Sequence, residues 1–158
     1  MLIMNRAAGA FLLSPIVFLA GASHFSPSAP QSGSPEFDHT TVHVRDMRQR
    51  AEFYEKVMGF ERIPDPFHDG RHVWYRIGAH EQLHVSGGAA GIARHDIDVH
   101  FGFRVASLSD FTAHLDQMHV KYRNFDGDGK VTVRADGVHQ IYLQDPDGYW
   151  IEVNDDRF

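Results

Sequence analysis

HTTVHVRDMRQRAEFYEKVMGFER, residues 39–62, and HFGFRVASLSDFTAHLDQMHVKYR, residues 100–123, fall into step when His39 is set against His100. Each opens on a period-two alternation. His39, Thr41 and His43 share one face of the first run, with Thr40, Val42 and Val44 on the other. In the second run His100, Gly102 and Arg104 oppose Phe101, Phe103 and Val105. Such alternation marks a strand with one packed and one polar face. A helical period follows in both. Asp46 caps a stripe of Phe53, Tyr54 and Val57 that ends at Gly59, a left-handed stop, and predicts one helix of about three turns. Ser107 caps the stripe Leu108, Phe111, Leu115 and Met118.

Beyond each helix the chain returns to strand pattern. After the first, strands are expected at 60–63, 71–77 and 82–86; after the second, near 120–125, 130–134 and 139–143. Asp145-Pro146-Asp147-Gly148 then turns the chain, with Pro presetting φ and Gly permitting a positive one, and delivers a last strand over 149–154. The pattern is βαβββ repeated, with module one at about 37–86, a small-residue connector GGAAGIAR at 87–94, and module two at about 98–154. Asp126-Gly127-Asp128-Gly129 lacks the closing Glu of a calcium loop and is expected to be a hairpin turn.

Ahead of the repeat, residues 1–22 carry Arg6, an apolar run from Ala7 to Leu19, and the small residues Ala20-Gly21-Ala22. That order is the pattern of a secretory signal peptide cleaved after Ala22, with an uncleaved anchor as the other reading. Residues 23–36 are Ser- and Pro-rich without periodicity and form a flexible spacer, so the folded domain is expected at 37–158. Periplasmic or secreted localisation follows, with no stable membrane insertion once the signal is removed.

Composition limits the chemistry. There is no Cys, so disulfides, thiolate metal sites and a Cys nucleophile are excluded. A net charge of −6 without a basic cluster argues against nucleic acid or an anionic membrane as partner and favours a small molecule. Twelve His are many for 158 residues, so position rather than count must separate ligands from bystanders.

On the last strand Trp150, Glu152 and Asn154 share a face, and at the corresponding end of module one Gln82, His84 and Ser86 do so. Four ligand candidates, His39, His84, His100 and Glu152, therefore come from the first and last strands of both modules. A strand-borne His can equally serve as a hydrogen-bonding side chain. Taken together, neutral imidazoles with one carboxylate suit one divalent ion, Fe, Ni, Zn, Mn or Co, with positions left open for a bidentate substrate. Glu152 would double as a catalytic base. Arg104 and His43 hold equivalent places and are candidates for an anionic substrate group or for strand-end structural charge. Trp74, Arg76 and Trp150 are candidates to line the pocket, and Tyr142 is a candidate donor.

These residues together resemble the vicinal oxygen chelate superfamily, which includes glyoxalase I, extradiol dioxygenases, fosfomycin-inactivating enzymes and bleomycin-binding proteins. The resemblance runs from about Phe37 to Asn154. It rests on His39, Phe53-Tyr54 through Gly59-Phe60, Gln82-Leu83-His84, His100 through Phe103-Arg104-Val105, and Asp145-Pro146-Asp147-Gly148 leading to Ile151-Glu152-Val153. It implies an α+β fold, two βαβββ modules forming an open eight-stranded cup around a metal, and a homodimer. It also implies a metal-dependent enzyme on a small vicinal-oxygen substrate, as a glyoxalase I-like lyase or isomerase or as a dioxygenase. A metal-free, bleomycin-resistance-like binder is the alternative. His84 departs from glyoxalase I, where a carboxylate or Gln stands at that place, and glyoxalase turnover is expected to be poor.

Overall fold

The computed structural model describes residues 33–92 and 94–157. The signal-like segment 1–22 and most of the spacer lie outside the described residues. Among those described, no helix is long and apolar enough to cross a membrane.

Module one is β1 (His39–Val44), α1 (Met47–Glu52) running into a π-helical turn (Phe53–Val57), β2 (Glu61–Ile63), β3 (His72–Arg76) and β4 (Gln82–Gly87). Its four strands lie in the order β1-β4-β3-β2, with β1 parallel to β4 and the other pairs antiparallel. Module two is β5 (His100–Arg104), α2 (Leu108–Gln117), β6 (Tyr122–Arg123), β7 (Thr132–Val133), β8 (His139–Gln144) and β9 (Trp150–Asn154). Its order is β5-β9-β8-β6, again with a parallel first pair. The α+β class and the two open, unclosed sheets agree with the cup.

The nine strand segments among the described residues fall where the sequence places them, and the pairing shows how they make an eight-stranded cup. Tyr122 and Arg123 pair with Leu143 and Tyr142, and Thr132 and Val133 continue down the same edge of β8 against Gln140 and His139. β6 and β7 are thus one edge strand interrupted by an excursion over residues 124–131. Asn124 ties that excursion: its Oδ1 accepts from Gly127 and Gly129 N–H, its Nδ2 donates to Asp128, and its own N–H donates to the Gly129 carbonyl. The expected hairpin turn is therefore a side-chain-organised loop set into an edge.

Both helices start where expected. The Asp46 carboxylate accepts from the Arg48 and Gln49 N–H groups, and Ser107 Oγ accepts from Asp110 N–H. The first helix departs from regularity. Met58 N–H bonds to the Phe53 carbonyl five residues back, before Gly59 ends the element at φ +71°. The wider turn lets the adjacent Phe53 and Tyr54, with Val57, all reach the core, where regular helical spacing would swing neighbours about 100° apart. In the second helix Leu108 and Leu115 are buried, but Met118 is the C-cap and 41% exposed, so the expected stripe ends one step early.

The core lies on the face of each sheet opposite the ligand candidates. Val42, Val44, Leu83 and Val85 in the first sheet and Ile141, Leu143, Ile151 and Val153 in the second are almost fully buried, each such side chain contributing about 1.5–3 kcal/mol. Phe60 packs on Phe103 across the module boundary at 5.0 Å. A buried charge cluster crosses it too. Arg50 of α1 donates through Nε to Asp147 at 2.5 Å and also pairs with it through Nη2, while the Tyr54 hydroxyl donates to Asp145 at 2.8 Å. The Asp145-to-Gly148 turn, with Gly148 at φ +89°, thereby ties module two to the helix of module one.

Candidate functional site

β9 places Glu152 between Gly102 on β5 and Tyr142 on β8. Both carboxylate oxygens are held. The Tyr142 hydroxyl donates to Oε2 at 2.6 Å, and Asn154 Nδ2 donates to Oε1 at 2.7 Å. Gln140 in turn donates to the Tyr142 oxygen at 2.6 Å. Burial, then the hydrogen bond to Glu152, pushes the Tyr142 phenol well above its usual range, so it stays a donor. Gly102 leaves open space beside the carboxylate, since a Cβ there would meet nothing within 4 Å.

His100 lies beside this group, with Nε2 3.4 Å from Glu152 Oε2. Its Nδ1 is 2.7 Å from the Ile97 carbonyl and so carries a proton, which leaves Nε2 as the nitrogen turned toward Glu152. His100 and Glu152 are therefore half of a nitrogen and oxygen donor set, with both side chains oriented by neighbours.

Module one supplies the other half differently. His39 Nδ1 pairs with Asp38 at 2.6 Å, the carboxylate–histidine arrangement that leaves Nε2 for a metal. The His84 ring is sandwiched between Trp74, centroids 3.8 Å apart and nearly parallel, and His39 at 4.2 Å. Burial, reinforced by the neighbouring His39, holds His84 below the ordinary imidazole value. Its Nε2 is engaged by Gln82 Oε1 at 2.9 Å.

Within one chain the halves stay apart. Among the described residues no three His, Asp or Glu side chains come close enough to share an ion. The sequence-predicted ligands are thus brought together in two pairs, His39 with His84 and His100 with Glu152, on two separate sheets.

The remaining candidates divide. Trp74 joins the His84 stack, and Tyr142 belongs to the Glu152 network. Trp150 sits opposite His100 in the register and donates Nε1 to the His95 carbonyl. Arg76 is exposed at the end of β3, paired with Glu61 at 3.2 Å. His43 is exposed on β1, where its backbone meets the Tyr149 hydroxyl. Arg104 closes β5 opposite Asn154. Sequence reasoning missed Asp38 and Gln140, and it placed Gln82 and Asn154 on the faces of His84 and Glu152 without giving them a role; the period-two pattern also puts Gln140 on the face of Tyr142.

The family profile described as Glyoxalase/Bleomycin resistance protein/Dioxygenase superfamily matches residues 36–153. A lactoylglutathione lyase of Pseudomonas putida is 26% identical, covering 78% of this chain and 87% of its own. Among solved structures, a glyoxalase family protein from Bacillus anthracis superposes with a TM-score of 0.62 at 20% identity, over 78% of this chain and 97% of that one. The oxidase ChaP-H2 does so at 0.64 and 18%, over 79% and 96%.

Proposed function

The chain belongs to the Glyoxalase/Bleomycin resistance protein/Dioxygenase superfamily, and from that premise we propose that it is an exported, metal-dependent enzyme acting on a small substrate with two vicinal oxygens. Members of the superfamily bind small molecules, often use a divalent metal and are commonly dimers. The carrying observation is the 3.4 Å approach of His100 Nε2 to Glu152 Oε2 with the other polar atoms of both side chains already bonded.

The donors fit Fe, Ni, Zn, Mn or Co. His100 and Glu152 of one chain would complete their set with His39 from a second copy, because one chain keeps these pairs on separate sheets, while His84 stays with Gln82. When bound, the ion supplies a Lewis acid for the two substrate oxygens and the charge that develops on them. The protein's part is orientation and proton handling. Asp38 and the Ile97 carbonyl fix the imidazole tautomers, Asn154 and Tyr142 hold Glu152, and a Glu152 oxygen released from Tyr142 can take a substrate proton.

Two His and one carboxylate would hold the ion, and the engagement of His84 by Gln82 favours dioxygenase-type chemistry over the glyoxalase type. Elemental analysis of protein purified without nickel should find about one divalent ion per chain. His100→Ala and Glu152→Gln should lose it, while His139→Ala should retain it. Metal-free wild-type protein after incubation with all five ions would refute the reading. Export predicts a native chain that begins at Ser23, read by intact mass.

A further inference from the structure

The excursion over residues 124–131 has no role in closing the sheet, yet it is built with care around one side chain. Arg123, the last residue before it, donates from Nη1 to the Phe125 carbonyl at 3.1 Å. Its guanidinium lies over the Trp150 ring, 4.8 Å from the centroid. Gly127, at φ +82°, lies so near that an added Cβ would land on the Arg123 guanidinium. Asn124 ties the loop in that shape through its bonds to Gly127, Asp128 and Gly129.

What remains of Arg123 is its Nε and Nη2 edge, which no acceptor among the described residues engages. Arg123 lines an open cleft of about 470 Å³ together with Lys121, Tyr122, Tyr142, Gln144 and Trp150. The lining holds two cations and no carboxylate, and its volume is in the small-ligand range. It adjoins the candidate site directly. Arg123 is the cross-strand partner of Tyr142, which holds Glu152, and Trp150 is the partner of His100.

We propose that Arg123 is the seat of an anionic substrate group, a carboxylate in the first instance, and that residues 124–131 form the collar that holds the guanidinium in place. A side-on guanidinium edge matches the two oxygens of a carboxylate, and stacking on Trp150 leaves that edge free. The substrate of the proposed enzyme is then an acid that also bears two vicinal oxygens. As a statement about that substrate it rests on the functional reading above, whereas the seat itself needs no metal.

The test compares phenylacetate with phenylacetamide, two probes of one shape and different charge, by ligand-observed NMR on protein as purified and again after chelation. The acid should bind about tenfold or more tighter than the amide, with an advantage that shrinks as salt is raised. Arg123→Met should abolish the advantage, Arg123→Lys should reduce it, and Gly127→Ala, which displaces the guanidinium, should weaken it with Arg123 still present. Equal affinities in the wild type, or an acid preference that survives Arg123→Met, would overturn the seat. A protein that holds no metal but prefers the acid keeps the seat and loses the enzyme reading. One that holds metal but ignores the probe's charge does the reverse.

Discussion

Modules one and two carry their ligand candidates on equivalent strands, yet they hold them by different forces. In module two, His100 and Glu152 have side chains 25% and 12% exposed, and backbone or side-chain hydrogen bonds fix each of them. In module one, His39 is 43% exposed and leans on a stacked His84 and Trp74, with Asp38 beside it in solvent. Repetition of a βα pattern therefore repeats the placement of a side chain without repeating its surroundings. The hydrogen-bonded network has little freedom to lose when an ion arrives, whereas the more exposed stack must be ordered by whatever covers it.

The harshest way to break the comparison is to cut the tie that lets each module position the other. Arg50 is 1% exposed and depends on Asp147, so Asp147→Ala leaves a buried cation without its closest partner and should cost about 3–5 kcal/mol in urea denaturation. A loss below 1 kcal/mol would show the joint to be dispensable.

Next comes the asymmetry between the half-sites. Tyr142→Phe strips a donor from a nearly buried carboxylate and should weaken metal binding about 10- to 100-fold by calorimetry. Asp38→Asn, acting on an exposed His39, should stay at or below about tenfold. The reverse order would mean that module one anchors the ion.

His84→Ala sharpens the contrast within module one. With Nε2 engaged by Gln82, its removal should leave metal content unchanged and alter substrate handling alone. A matching loss of ion would make His84 the fourth ligand. Retained metal with efficient isomerisation of hemithioacetals would count against the preference for dioxygenase chemistry.

The smallest effect is a pH slope at the module boundary. Burial, partly offset by Arg50, raises the Asp145 carboxyl above its ordinary value, so the fold binds this proton more tightly than the unfolded chain does. Its stabilising contribution is present below the unfolded value and is lost as pH rises through the folded one. The stability of wild type relative to Asp145→Asn should therefore fall as pH is raised from about 4 toward 7, read by denaturation at each pH. A difference that grows with pH would contradict this.

Much of the fold was legible because its signals are local. Asp46, Ser107, Gly59 and the Asp145-to-Gly148 turn each act within a few residues, and each acts as its residue type requires. The π-helical turn was not, since Phe53 and Tyr54 are as compatible with a regular helix until Tyr54 must reach Asp145, 91 residues away. That β6 and β7 form one interrupted edge strand was hidden, because both segments carry strand character on their own and only pairing reveals that they share one edge.

The candidate site shows the same division. Sequence alone determined which face of each strand His39, His84, His100 and Glu152 occupy, because a period of two leaves no freedom once the alternate residues are apolar. It also determined that any ion must take nitrogen and oxygen donors, because the chain has no Cys. The tertiary structure alone decided which ligand candidates meet within a chain, which ring nitrogens are already engaged, and that Arg123 lies over Trp150 beside Glu152's support. Those relations join residues distant in sequence or fix a rotamer among several, and neither is written in a local pattern.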